Sequence, residues 1–133
     1  MADSASRNNP AFYGGEPIWE TAEKNGLTAA TFFWVGSDVL EADNKATYWK
    51  SYNKNIPFTA RMDTVINWLE LSAEKRPELI MWYMHEPDAT GHHAGPHAAR
   101  TDSVVMKLDS MLGEFLKKIE QLPFQDQINI IVT

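Results

Sequence analysis

The chain reads LIMWYM over residues 79–84 and continues directly with HEPDATGHHAGP over residues 85–96. The first segment is continuously apolar and about as long as a strand, which predicts a central strand covered on both faces of a sheet. In open α/β sheets the functional crevice lies outside the carboxyl ends of the strands. The polar residues 86–92 are therefore candidates for a functional site by position alone.

A shaped loop is predicted over residues 88–96, because Pro87 restricts the residue before it and Gly91 and Gly95 allow backbone conformations closed to other residues. Asp88 and His92 are four residues apart, so a carboxylate oxygen and an imidazole nitrogen can both reach one cation at about 2 Å. Such a pair suits a hard or borderline divalent ion. The alternative interpretation is that Asp88 caps the following turn and His92 is a solvated loop histidine.

The rest of the chain alternates between helical and strand-like patterns. Three helices are predicted. The first covers residues 17–24, the second begins with Thr59 as N-cap and ends before residue 76, and the third surrounds the apolar positions 104–119. Strands are predicted over residues 27–35 and 127–133, and a loop over residues 41–56. This order predicts an α/β fold with a mostly parallel sheet and flanking helices.

The composition bounds the class of protein. At 133 residues and 44% hydrophobic, the chain can bury a core and has the size of one domain. A net charge of −6 without a basic run argues against a nucleic-acid-binding surface. Residues 1–9 are small and polar, which predicts a flexible start without a signal peptide, and no apolar stretch is long enough for a membrane segment. The absence of cysteine excludes a disulfide framework and a cysteine nucleophile.

Several motifs together resemble a known family. Residues 86–96, EPDATGHHAGP, resemble the metal-binding signature of the nucleotide pyrophosphatase/phosphodiesterase family within the alkaline phosphatase superfamily. Further segments agree in order and spacing: NP at 9–10, GEPIW at 15–19, TFFWVGSD at 31–38, YN at 52–53 and IPF at 56–58. The resemblance implies an alkaline-phosphatase-like fold that is present in part. Residues 10–133 would form part of the α/β catalytic domain of a larger enzyme, with the remainder of that domain as partner.

The resemblance also implies a chemistry. Family members hydrolyse phosphodiester or pyrophosphate bonds of nucleotides with two zinc ions and a threonine nucleophile. Asp88 and His92 match ligands of one zinc, whereas the threonine and the other ligands are expected upstream of Met1 and beyond Thr133. No catalytic residue is assigned to this chain. Because a catalytic zinc normally has three protein ligands, the isolated chain is predicted to be inactive.

Three residues match positions of the nucleotide pocket in the family: Trp34, Asp38 and Tyr52, with Tyr52 stacking on the base. The alternatives are that Trp34 is a core residue at a strand end, Asp38 a turn cap and Tyr52 a surface aromatic. Glu86 is interpreted as support for a metal ligand or as a partner of the backbone. His93 and His97 crowd the motif, but the pattern does not require them, and they are interpreted as solvated loop histidines.

Two other functions stay open from the sequence. One is a phosphomonoesterase or another hydrolase of the same superfamily, since Asp88 and His92 do not distinguish monoesters from diesters. The other is a non-catalytic interaction domain that retains the fold. Animal members of the family are secreted or membrane-anchored and rich in disulfides, so a cysteine-free chain resembles a periplasmic or exported bacterial relative.

Overall fold

The structure is a computed structural model that describes residues 9–39 and 45–133. Most of the predicted flexible start, and the first residues of the loop predicted over 41–56, fall on residues 1–8 and 40–44 and lie outside the described residues. The chain divides into two units, Met1–Met84 and His85–Thr133. The two units are built from different elements: the first contains a sheet and the second is helical.

The first unit is built on a parallel sheet of three short strands, β1 (Ala29–Phe32), β2 (Tyr48–Lys50) and β3 (Leu79–Trp82), in the order β2-β1-β3. All four residues of β1 are buried, whereas those of β3 are half-buried. The prediction that residues 79–84 form the central strand is therefore wrong for the described sheet. β3 has a hydrogen-bonded neighbour on one side there, and β1 has neighbours on both.

Two strand predictions need correction. β2 lies where a loop was predicted, since its three residues are flanked by polar ones and give too short a pattern for periodicity to detect. β1 covers four residues instead of the nine predicted over 27–35. It ends at Phe32, because the φ of 61° at Phe33 is incompatible with an extended strand.

Helices α1 (Ile18–Lys24) and α2 (Phe58–Leu69) cover the two faces of this sheet. Trp19 of α1 packs in a cluster with Ala29. On α2, the ring centroid of Trp68 lies 5.9 Å from that of Phe32. Because side chains alternate along a strand, Ala29 and Phe32 point to opposite faces of β1. Both helices were predicted, but α2 has Pro57 and not Thr59 as its N-cap residue, and it ends at Leu69.

The second unit is helical. Helix α3 (Asp88–Ala94) replaces the loop predicted over residues 88–96, and Gly95 ends it with a φ of 96°. Pro87 restricts the residue before it but suits the start of a helix. Helix α4 (Ala99–Ile119) confirms the predicted long amphipathic helix, with three buried side chains at a spacing of four: Met111, Phe115 and Ile119. None of the helices formed by the described residues combines the length and the apolar character needed to cross a membrane.

The strand predicted over residues 127–133 is not found. A 3-10 turn occupies Gln125–Gln127, and the residues after it form no strand in the described chain. Ile131 and Val132 are exposed. An apolar run becomes a strand only where another strand pairs with its backbone groups, and a sequence pattern carries no information about that neighbour.

Candidate functional site

Helix α3 brings Asp88 and His92 together. Side chains four residues apart lie on the same face of a helix, and here Asp88 Oδ1 lies 3.3 Å from His92 Nε2. The two side chains are 71% and 78% exposed, so both are accessible to a cation from solvent. Asp88 is the first residue of α3 and not its N-cap, which is Pro87. Within residues 9–39 and 45–133, no group of three or more His, Cys, Asp or Glu side chains is arranged to hold a metal.

Glu86 holds the start of α3. Its Oε2 accepts a hydrogen bond from the Thr90 N–H, and its Oε1 accepts one from the Thr90 hydroxyl, both at 2.9 Å. Thr90 is buried, so this contact anchors one face of the helix. The same helix presents the Asp88 and His92 side chains to solvent. Glu86 thus acts on the backbone that carries the pair, and Thr90 is its partner, which the sequence interpretation missed.

The two other histidines of the motif are exposed. His93 belongs to α3, and its Nδ1 lies 2.7 Å from the carbonyl oxygen of Ala89 in the preceding turn. His97 follows the helix. The interpretation of His93 as a loop residue is wrong, because the segment is helical, but its solvent exposure agrees with the prediction.

A second group of predicted residues follows the carboxyl ends of β1 and β2. The carboxylate of Asp38 accepts a hydrogen bond from the backbone N–H of Tyr52 at 3.1 Å, which joins two segments 14 residues apart. The ring of Tyr52 meets the ring of Phe33 edge-on, with centroids 5.4 Å apart. Trp34 is half-buried and packs against the cluster that contains Trp19. The structure thus brings Asp38 and Tyr52 together and uses part of Trp34 as core.

Arg61 and Phe33 were missed by the sequence interpretation. Arg61 is completely buried in the apolar face of α2. Its guanidinium carbon lies 4.9 Å from the ring centroid of Phe33 and 4.7 Å from that of Phe58. Burial lowers the pKa of the Arg61 guanidinium, while Tyr52 acts in the opposite direction. A signal was present, because Arg61 lies four residues before Val65 and therefore on the apolar stripe of α2.

A shallow groove of about 330 Å³ lies in the first unit. Its walls come from the segment around Tyr13 and from residues after β1, including Val35 and Val39. Gly36 also lines it, with a φ of 82°, and a Cβ at this position would lie 2.8 Å from the Tyr13 ring. The close approach of Tyr13 to the backbone therefore depends on glycine at position 36.

The whole chain, residues 1–133, matches the family model described as type I phosphodiesterase / nucleotide pyrophosphatase. Over 129 residues it is 41% identical to venom phosphodiesterase 2 of Crotalus adamanteus, which covers 97% of this chain and 16% of that protein. It is 36% identical to ectonucleotide pyrophosphatase/phosphodiesterase family member 1 of Homo sapiens, covering 97% of this chain and 14% of that protein. The chain therefore spans about a sixth of the length of these relatives.

Solved structures of murine ectonucleotide pyrophosphatase/phosphodiesterase 5 superpose on this chain with a TM-score of 0.69 and 32% identity. The match covers 79% of this chain and 28% of that one. One of these structures is an inactive variant in complex with AMP, with the same TM-score. The similarity confirms the predicted fold class, an α/β fold with a mostly parallel sheet and flanking helices.

Proposed function

The chain belongs to the type I phosphodiesterase / nucleotide pyrophosphatase family, and we propose that it carries part of the metal site and part of the nucleotide pocket of a zinc-dependent hydrolase. The proposed reaction is the cleavage of phosphodiester or pyrophosphate bonds in nucleotides. The observation that carries the proposal is the exposed Asp88–His92 pair, one helical turn apart on α3.

The donor atoms of this pair fit zinc. Carboxylate oxygen and imidazole nitrogen are both zinc ligands, and two ligands of a tetrahedral zinc lie about 3.3 Å from each other. Asp88 Oδ1 and His92 Nε2 are separated by 3.3 Å, a spacing at which both would reach one ion. Asp88 and His92 would hold the ion, which would supply polarisation of a phosphoryl oxygen and a lowered pKa of an attacking hydroxyl. Glu86 with Thr90 fixes the helix that carries the pair.

We assign the remaining ligands of a two-zinc site and the threonine nucleophile to parts of the parent protein outside this chain. The venom relative, of which this chain covers 16%, is long enough to supply them. The nucleotide pocket is assigned to Trp34, Asp38 and Tyr52. The AMP complex of the murine relative supports a nucleotide ligand, and an aromatic ring such as that of Tyr52 stacks on any base, worth about 1–3 kcal/mol.

We also propose that the parent protein is exported or periplasmic. The relatives include venom enzymes and an ectonucleotide pyrophosphatase/phosphodiesterase, names that place those proteins outside the cytosol. Export would be tested by locating the parent protein in fractions of its own cells with an antibody against this chain.

Zinc titration of the chain tests the proposed metal site. The chain is expected to bind zinc in a calorimeter, and His92→Ala to weaken the affinity by at least about tenfold, since it removes one of two ligands. His97→Ala is the matched control, because His97 is also exposed and lies in the same unit. Equal affinities for both variants would contradict the assignment of His92 to the metal.

A further inference from the structure

Arg61 is a buried cation whose N–H groups are paired with backbone carbonyls. Its Nε donates to Ile56 O at 2.9 Å, and its Nη2 donates to Lys54 O at 3.3 Å. A buried guanidinium is retained at a high desolvation cost unless its donors are satisfied. These carbonyls belong to the segment that directly follows Tyr52, so the side chain ties this segment to α2.

The guanidinium also contacts two aromatic rings. Its carbon lies over the rings of Phe33 and Phe58, 4.9 Å and 4.7 Å from their centroids, in the geometry of a cation–π contact. Phe33 is buried and has a φ of 61°, a left-handed conformation that a bulky side chain adopts rarely. Such strained backbone persists where the surroundings enforce it, and it clusters at functional sites. The ring of this residue meets Arg61 directly after the carboxyl end of β1.

The Phe33 ring in turn contacts Tyr52. The two rings meet at an interplanar angle of 63° with centroids 5.4 Å apart, an edge-to-face arrangement that is favourable for aromatic pairs. The backbone of Tyr52 is held separately by the carboxylate of Asp38. Arg61 therefore reaches Tyr52 along two routes, through the Phe33 ring and through the carbonyls of residues 54 and 56.

We propose that Arg61 is a positioning residue that sets the place and tilt of the Tyr52 ring through Phe33, and thereby shapes the aromatic wall that meets a nucleotide base. This inference rests on the proposed nucleotide pocket. Lysine cannot replace arginine in this role, because its ammonium group has neither the planar surface that lies over the rings nor the forked donors that bind two carbonyls.

The test compares Arg61→Lys with Arg76→Lys in the full chain. Arg76 is a suitable control because it is partly buried and, like Arg61, donates to a backbone carbonyl, that of Leu71. Two quantities are measured: the NMR signals of the Tyr52 ring, assigned with Tyr52→Phe, and the affinity for AMP by titration. Urea unfolding verifies that each variant is folded.

We expect Arg61→Lys to shift the Tyr52 ring signals and to weaken AMP binding about fivefold, the lower limit for a lost base stack. Arg76→Lys is expected to change neither quantity. Identical Tyr52 signals in both variants would overturn the proposal. If Arg61→Lys does not fold, Phe33→Leu is measured in its place, because it keeps the cation and removes the connecting ring; an AMP affinity equal to that of the wild-type chain there would overturn the proposal as well.

Two further measurements separate this inference from the proposed function. In the wild-type chain, NOE contacts between the Phe33 and Tyr52 rings are expected, and their absence contradicts the positioning role whatever AMP does. Absence of AMP binding to the wild-type chain, or unchanged binding after Tyr52→Leu, contradicts the nucleotide pocket instead. The ring signals of Tyr52 then still decide whether Arg61 positions it.

Discussion

At the scale of single residues, the pair of hydrogen bonds between Glu86 and Thr90 determines how firmly α3 is held. Both bonds are 2.9 Å long, and Thr90 is buried. The carboxylate replaces backbone partners that the first turn of a helix lacks. A seven-residue helix is not stable in isolation, so the spacing of Asp88 and His92 depends on contacts of this kind.

Thr90→Val is expected to lower the free energy of unfolding by about 1 kcal/mol, because it removes one hydrogen bond of a buried group. It is also expected to weaken zinc binding, since α3 carries both proposed ligands. Thr90→Ser keeps the hydroxyl and should restore zinc affinity. Urea unfolding and calorimetry measure the two effects.

The control for this prediction is Thr64→Val in α2. The Thr64 hydroxyl donates to the carbonyl of Ala60 within its own helix, and its loss leaves that carbonyl in its helical hydrogen bond. If Thr64→Val weakened zinc binding as much as Thr90→Val, the role assigned to the Glu86–Thr90 contact would be wrong.

Glu23 is predicted to make stability depend on pH. Its Oε1 accepts hydrogen bonds from the N–H groups of Ala29 at 2.9 Å and Thr47 at 2.8 Å. Burial raises the pKa of Glu23, but these hydrogen bonds outweigh burial and hold the pKa below its ordinary value of 4.5. A lowered pKa in the folded state means that the contribution to stability is complete above pH 4.5 and is lost as the pH falls through the folded value.

The difference in unfolding free energy between the wild-type chain and Glu23→Gln should therefore be largest near neutral pH and should shrink in acid. Urea unfolding between pH 3 and pH 7, a range chosen to bracket the carboxyl groups, measures it. Glu114→Gln, at an exposed position of α4, corrects for the general loss of one negative charge. A difference that grows in acid would contradict the assigned role of Glu23.

At the scale of elements, replacing glycine by alanine is expected to change the free energy of unfolding in opposite directions at two positions. Gly36 has a φ of 82°, and a Cβ there would lie 2.8 Å from the Tyr13 ring, whereas Gly113 lies inside α4, where an added Cβ would enter open space. Gly36→Ala is expected to lower the free energy of unfolding by about 1–2 kcal/mol, the cost of a left-handed backbone for alanine. Gly113→Ala is expected to raise it by up to about 1 kcal/mol through helix propensity.

Chemical unfolding of both variants and the wild-type chain decides this prediction, and each variant is the control of the other. Equal changes would show that the turn at Gly36 adapts to a side chain. In that case the groove beside Tyr13 would not depend on glycine.

Elements with a long periodic pattern were predictable from the sequence. The spacing of apolar residues predicted α4 because the pattern repeats along a helix of 21 residues. β2 was missed, since three residues carry no period and their strand character arises from pairing with β1. The same dependence on a neighbour explains why residues 127–133 were wrongly predicted to form a strand.

The candidate site divides in the same way. The proximity of Asp88 and His92 follows from their spacing alone, because a helical turn or a tight loop brings such residues together. The hydrogen bond between Asp38 and Tyr52 joins residues 14 positions apart, so spacing does not predict it. Both residues were named as candidates because of the family resemblance. Arg61 was overlooked because charged residues are normally exposed, and only the fold shows that its partners are carbonyls and rings.

At the scale of the whole molecule, charge and size limit what the chain can do. With a net charge of −6, it repels a nucleotide phosphate unless a metal ion supplies local positive charge. The chain shares its alkaline-phosphatase-like fold with the murine relative, and the superposed part covers 28% of the murine chain. The fold therefore agrees with membership of the family, whereas the metal ligands and the activity belong to the proposal.

The zinc-loaded chain is accordingly expected to show no hydrolysis of a chromogenic phosphodiester above the rate in buffer with zinc. A catalytic zinc normally has three protein ligands, and the described residues place two, Asp88 and His92, within reach of one ion. Absorbance of the released phenol measures the rate, with a venom phosphodiesterase as positive control. Hydrolysis that His92→Ala abolishes would contradict this prediction and show that the chain completes a working site with its own residues. If the venom enzyme turns over and the chain does not, while zinc titration still depends on His92, the chain holds a binding half-site whose catalysis requires the rest of its parent protein.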